Sequence, residues 1–242
     1  MKLDFDRFES LMSETGLSLS NADFTLFERY AQLLVEWNER MNLTAITEPD
    51  EIVLKHFLDS VLILKYVEIV EKSLLIDVGS GAGFPGLPLK IVRKDLNITF
   101  LDSLQKRLTF LDAVCSELTL PCETVHMRAE ECGKTTQFRE KFDVATARAV
   151  ARLDILAEYC LPLVKVGGKF IALKGPNEDV DAARARIASL GGEISDVYTY
   201  QLPNSDGRML ICVNKISHTP TKYPRNSAAI GKDLKKAKEK QT

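Results

Sequence analysis

The chain has 242 residues, 45% of them hydrophobic and 27% charged, with 32 Lys and Arg against 34 Asp and Glu for a net charge of −2. That composition describes an ordinary soluble globular protein with one sizeable core, and it argues against a uniformly basic nucleic-acid binder. No apolar run of about 18 residues is present, and charges stand in Met1 to Glu9 where a signal peptide needs an apolar stretch, so a cytoplasmic protein is expected.

Charge is segregated along the chain. Residues 1 to 51 hold eleven acidic against four basic side chains, while residues 216 to 242 hold seven basic against two acidic ones. A basic end on a neutral body is compatible with RNA binding, and equally with a solvated terminus. The five cysteines (Cys115, Cys122, Cys132, Cys160, Cys212) are odd in number and lack C-x-x-C spacing, so they read as thiols in a reducing compartment. No metal site is expected.

The first 70 residues read as helices. Phe5, Phe8, Leu11 and Met12 mark one over Asp4 to Ser13; Asn21 opens a second carrying Phe24, Phe27, Leu33, Leu34 and Trp37. Pro49 suits the first turn of a third, continuous through Ile52, Val53, Phe57, Val61 and Leu64. On it, His56 and Asp59 lie about one turn apart and can share a face.

From Leu74 the pattern alternates. Strands are expected at Leu74 to Val78, Ile98 to Asp102, Glu123 to Met127, Phe142 to Thr146 and Gly168 to Leu173, with helices from near Leu87, at Gln105 to Leu118, Leu153 to Val164 and Asp179 to Leu190. Alternation of this kind implies parallel βαβ units in a doubly wound sheet. The chain then changes character, with strands at Ile194 to Leu202 and Arg208 to Ile216 joined by the turn Pro203 to Gly207 as a hairpin. The expected parts are an N-terminal helical cap (residues 1–72), a cofactor-binding core (73–216) and a basic tail (217–242).

The first strand runs into Gly79-Ser80-Gly81-Ala82-Gly83-Phe84-Pro85-Gly86. A Cβ at Gly79, Gly81 or Gly83 would hold the backbone away from a ligand, and the next helix would turn its first amides toward the same place. Gly79-x-Gly81-x-Gly83 is the spacing of S-adenosylmethionine sites, whereas Gly81 to Gly86 also satisfies the dinucleotide pattern G-x-G-x-x-G. The strand ends before Gly79, and a sheet closed by a hairpin is typical of methyltransferases, so the methyl donor is favoured while a dinucleotide oxidoreductase stays open. Asp102, at the end of the second strand, can take both ribose hydroxyls of an adenosine, with Ser103 as the better cap for the following helix. Ala129 and Glu130 stand where adenine would reach; Arg148, past the fourth strand, can hold a phosphate, guanine O6 or the cofactor carboxylate. No Asn or Asp followed by Pro stands there, as amine methylases commonly have, which favours a ring nitrogen with an exposed lone pair and no general base.

Seven stretches together resemble one family: Trp37-Asn38-Glu39-Arg40-Met41-Asn42-Leu43-Thr44-Ala45-Ile46, Lys55-His56-Phe57-Leu58-Asp59-Ser60, the loop Asp77 to Gly86, Leu101-Asp102-Ser103, Arg128-Ala129-Glu130, Ala147-Arg148-Ala149-Val150 and Leu173-Lys174-Gly175. In this order they are similar to the RsmG family of bacterial 16S rRNA guanine-N7 methyltransferases, also called glucose-inhibited division protein B. The resemblance implies a Rossmann-like class I methyltransferase with a seven-stranded, mostly parallel sheet, which uses S-adenosyl-L-methionine to methylate a guanosine N7 in the decoding region of small-subunit rRNA by direct in-line transfer. It carries cofactor binding onto Gly79, Phe84, Ala129, Glu130 and Arg148, beside Gly81, Gly83 and Asp102. RNA contacts are expected at Asn38, Arg40, Asn42, His56, Lys174, Arg208, Lys222 and Arg225. After Arg225 the chain departs from the family pattern, since Asn226 to Lys232 replaces a more basic continuation. A non-catalytic RNA-binding protein on the same scaffold is the third reading. The tail is expected to lie beyond the sheet, removable after Lys215 without disturbing cofactor binding.

Overall fold

A computed structural model describes residues 1–148 and 150–232. The last ten residues of the expected basic tail lie outside the described residues. Helices α1 (Phe5–Glu14) and α2 (Asn21–Met41) start on side-chain caps, Asp4 accepting from the Arg7 amide and Ser20 from the Asp23 amide. The apolar stripes of the two helices meet in the edge-on ring pairs Phe5–Phe24 and Phe8–Phe27.

The expected third helix is present from Pro49 to Tyr66, but it is not a uniform α-helix. Short helices α3 (Pro49–Ile52), α4 (Asp59–Val61) and α5 (Ile63–Tyr66) flank a π-helical turn at Val53–Leu58. Apolar spacing cannot report a widened turn. This one presents the Lys55 carbonyl and the His56 ring together to Arg148, and such turns recur at functional sites.

Seven strands follow: β1 (Leu74–Val78), β2 (Asn97–Asp102), β3 (Glu123–His126), β4 (Phe142–Arg148), β5 (Val164–Lys174), β6 (Gly192–Gln201) and β7 (Gly207–Lys215). Their order is β3-β2-β1-β4-β5-β7-β6, parallel throughout except that β7 runs antiparallel to both β5 and β6. Helices α6 (Gly86–Val92), α7 (Gln105–Glu117), α8 (Ala129–Cys132), α9 (Leu153–Cys160) and α10 (Val180–Ser189) cover the sheet. Side chains alternate along β1, so Leu75 enters the core shared with the N-terminal helices while Ile76 and Val78 enter a second core against α9 and α10. Strand order reverses between β1 and β4. In open α/β sheets that reversal opens a crevice at the carboxyl ends of the strands, here where β1 meets the glycine loop and β4 ends on Arg148.

Most strand ends move by one or two residues from the sequence reading, and two strands differ in ways that matter. β5 begins at Val164 rather than Gly168: Val164 pairs with Phe142, and a register shift between Phe142 and Val144 accommodates Gly167, where φ is +88°. β4 runs on to Arg148, which therefore sits on the strand itself.

The C-terminal segment is the larger correction. Far from trailing free, residues 217–232 pack back on the body. The Lys215 ammonium is buried, bonded to the Leu161 carbonyl and the Thr219 hydroxyl, and the Arg139 guanidinium donates to the carbonyls of Thr219, Tyr223 and Gly133. Arg225 grips the fully buried Glu158 with its backbone amide and guanidinium at 2.7–3.1 Å. An arginine so held is an anchor, not a free phosphate ligand, and truncation after Lys215 would strip these contacts. Among the described residues, replacing Arg225→Ala leaves the Glu158 charge with Arg186 at 3.7 Å as its ion-pair partner, and is expected to cost on the order of 3 kcal/mol of stability. Thermal unfolding checks this; a melting temperature equal to that of the unaltered protein would mean that the segment is not anchored there.

Candidate functional site

A cleft of about 500 Å³ lies at the switch point, and it brings together Gly79, Gly81, Phe84, Asp102, Ala129, Glu130, Arg148 and His56. A second cleft of about 530 Å³ adjoins it, lined by Lys55, Asp59, Lys174, Glu178 and Arg208. His56 and Arg148 border both clefts.

The glycine loop is held from behind by groups it cannot lose cheaply. Gly79 and Ser80 donate their amides to the Leu101 carbonyl, and the Gly81 amide donates to Asp102 Oδ2 at 2.9 Å. Tyr30, fully buried on α2, donates its hydroxyl to the Ala82 carbonyl. Asp77, fully buried in β1, accepts from the Gly86 amide at 3.0 Å and from the Thr146 hydroxyl at 3.1 Å. The first amide of α6 is therefore taken by Asp77 rather than offered to a ligand, contrary to the expectation for that helix. Sequence reading missed Tyr30 altogether; its helical spacing marks a core position and nothing in the pattern shows where a phenol points.

The three glycines divide by role. Gly81, at φ +57°, has open space where a Cβ would stand, with no atom nearer than 3.9 Å, and it lines the cleft. A Cβ on Gly79 would press on Val150 at 2.7 Å. Gly83 faces inward: its Cβ would strike Leu111 at 2.7 Å and the Tyr30 hydroxyl at 3.0 Å. Gly83 is thus a packing glycine, and it does not line the cleft with Gly79 and Gly81.

Asp102 is 2% exposed and accepts from Gly81, from the Leu104 amide at 2.9 Å and from Arg107 at 3.2 Å. The Leu104 amide stands just ahead of α7, which carries no side-chain cap from Ser103 or any other described residue, and Asp102 stays on the cleft wall. A carboxylate has about four acceptor positions, so one remains after these three bonds. Glu130, 5% exposed on the first turn of α8, accepts from the Ser227 hydroxyl.

Arg148 binds the two clefts together. Its guanidinium lies 4.7 Å from the centre of the Phe84 ring and donates to the Lys55 carbonyl at 2.8 Å and to His56 Nδ1 at 3.2 Å, with Asp59 Oδ2 at 3.4 Å. Burial pulls its pKa below the usual arginine range, opposed by Asp59, Tyr30 and Asp77. His56 stacks on the same Phe84 ring at 4.3 Å. Burial, and then the Arg148 charge, push its pKa down to about 3, so the ring is neutral. Its Nδ1 faces both the Arg148 guanidinium and the Lys55 carbonyl at 3.2 Å, and its Nε2 pairs with Thr44 Oγ1 at 2.9 Å. The stability this neutral ring contributes is present above about pH 6.5, the ordinary histidine value, and is lost as pH falls toward 3. Asp77 acts oppositely: burial lifts its pKa to about 7, so its stabilising, protonated form is lost as pH rises from about 4 to 7.

The remaining expected RNA contacts scatter. Asn38 Oδ1 accepts from the amides of Leu43 and Thr44 at 2.6 and 2.9 Å, and Asn42 ends α2 in the left-handed region. Both shape the loop that sets Thr44 over His56, a structural task that sequence left as RNA contact. Lys174 is held by the Ala151 carbonyl and Glu178 on the second cleft, and Arg208 reaches that cleft beside Asp59 at 3.5 Å. Arg40 and Lys222 are exposed, away from both clefts.

Residues 23–205 match the family model described as rRNA small subunit methyltransferase G. The chain is 46% identical over 234 residues to the ribosomal RNA small subunit methyltransferase G of Bacillus cytotoxicus, covering 95% of this chain and 98% of that protein. It is 47% identical over 227 residues to the protein of that name from a Geobacillus species, covering 92% and 95%. Among solved structures it is similar to an S-adenosylmethionine-dependent O-methyltransferase from Thermotoga maritima, with a TM-score of 0.53 and 15% identity over 77% of this chain and 72% of that one. A 16S rRNA adenine-N1 methyltransferase from Catenulisporales acidiphilia, solved with its methyl-donor cosubstrate, gives a TM-score of 0.51 at 14% identity over 62% and 88%. At those identities the two structures speak for the fold.

The glycine geometry separates ligand contact from packing. Gly81→Ala is expected to fold, at a cost of roughly 1–3 kcal/mol for the strained φ, while losing most affinity for S-adenosylhomocysteine. Gly83→Ala is expected to unfold at markedly lower temperature because Leu111 and Tyr30 must move. Calorimetry and thermal melts on both variants check the pair; the reverse pattern would place Gly83, not Gly81, at the ligand.

Proposed function

The chain belongs to the rRNA small-subunit methyltransferase G family, and from that premise we propose that it methylates N7 of a guanosine in the decoding region of 16S rRNA, with S-adenosyl-L-methionine as donor. The observation that supports this reading most is the junction at Arg148, His56 and Phe84, where a cleft suited to an adenosyl ligand meets a second one edged by Lys55, Lys174 and Arg208. The residues present fit the donor. Gly79, Gly81 and Phe84 would flank it, Asp102 would take one ribose hydroxyl on its remaining acceptor position, and Ala129 and Glu130 would meet the adenine. Bound there, it supplies an electrophilic methyl group.

The chain's own residues orient and exclude water rather than move protons. Guanine N7 attacks with an exposed lone pair and releases no proton, so in-line transfer requires no base. The site agrees with that demand, because both nitrogens of His56 already have protein partners. The second cleft would take the target base, edged by Lys55, Lys174 and Arg208, each paired with a carboxylate. The antiparallel β7 and the family membership leave no support for dinucleotide chemistry.

Incubation with labelled donor and small subunits lacking the modification, followed by mapping of the labelled base, tests the assignment. The expected product is a single guanosine methylated at N7; label on another atom, or RNA binding without transfer, would overturn it. Single-turnover rates are also expected to stay flat between about pH 5 and 8. A limb near the ordinary histidine pKa that vanishes in His56→Ala would instead make His56 a base.

A further inference from the structure

The C-terminal segment touches the wall of the adenosyl cleft at Ser227, and that contact has a chemical consequence. Glu130 is 5% exposed, lines the cleft, and has one protein hydrogen-bond partner among the described residues, the Ser227 hydroxyl on Oε1. The second oxygen is left for a ligand. A carboxylate able to rotate would meet an amine in many poses, whereas one pinned by a hydroxyl presents a fixed acceptor. Ser227 is itself held from both sides, by Arg225 on Glu158 and by Ile230, which is buried to 1% exposure.

We propose that Ser227 is a positioning residue for cofactor selection: it fixes Glu130 so that the free oxygen accepts the exocyclic amine of adenine, making the C-terminal segment part of the cofactor site. This deepens the proposed function and rests on it. The preference follows from the purine edge. Adenine offers an amine at the position where hypoxanthine carries a carbonyl oxygen, which a carboxylate repels. Selection for the adenosyl ligand therefore depends on how rigidly Glu130 is aimed.

The test is calorimetric titration of the full chain with S-adenosylhomocysteine and with its inosyl counterpart, using Ser227→Ala, Ser227→Thr, Glu130→Ala and the Ser227→Ala/Glu130→Ala double variant. Ser227→Ala is expected to weaken the adenosyl ligand about tenfold and the inosyl ligand hardly at all, with Ser227→Thr restoring the difference. In the Glu130→Ala background the serine change is expected to add nothing. Unchanged affinities, or equal losses for both ligands, would overturn the proposal and leave Ser227 a structural contact. No binding of S-adenosylhomocysteine by the unaltered chain would defeat the proposed function and this inference with it. Normal binding by the unaltered chain and by Glu130→Ala would defeat the adenine contact alone, and so the role of Ser227.

Discussion

The structure depends on the placement of one buried cation. Arg148 ends the strand beside the switch point, with its side chain 15% exposed, and a charge so far from water must be answered by dipoles, a carboxylate and a ring face. Lys55, His56, Asp59 and Phe84 supply them, and each belongs to a different stretch of chain or turn from Arg148. The helical N-terminus is thereby tied to the carboxyl edge of the sheet. Asp59 is shared further, taking the Tyr200 hydroxyl at 3.1 Å and Arg208 at 3.5 Å, so the closing hairpin is drawn to the same point. Breaking the cluster would leave charge buried without a partner, a cost that explains why the widened turn at Val53–Leu58 persists.

The same economy governs the glycine loop. Tyr30 reaches it from α2, Asp77 from β1 and Asp102 from β2, so three elements fix a segment whose own side chains are nearly absent. Rigid support behind and an open face in front, at Gly81, is what a ligand cradle requires. The energetic cost is visible in Asp77, which burial holds near its neutral form.

Much of this was legible in the sequence. The strand, glycine loop and alternating pattern located the cleft, and Asp102, Glu130 and Arg148 fall on its wall as expected. What sequence could not separate was contact from support. Gly83 and Gly81 carry the same letter but face opposite ways, and Asn38 and Asn42 look like surface polar residues while shaping a loop. A basic terminal stretch reads as a solvated tail because charge density says nothing about partners; Glu158, buried on α9 far away in sequence, is what captures Arg225. Tertiary partners of this kind have no local signature.

The central claim is that two clefts share the Arg148 wall, one for the methyl donor and one for the base. A structure of the chain with S-adenosylhomocysteine and a guanosine-containing oligonucleotide tests it most directly. The account predicts the adenosyl group between Gly81 and Glu130 and a guanine in the cleft of Lys174 and Arg208, its N7 turned toward Arg148 and Phe84. A guanine bound elsewhere, or an adenosyl ligand in the second cleft, would contradict it.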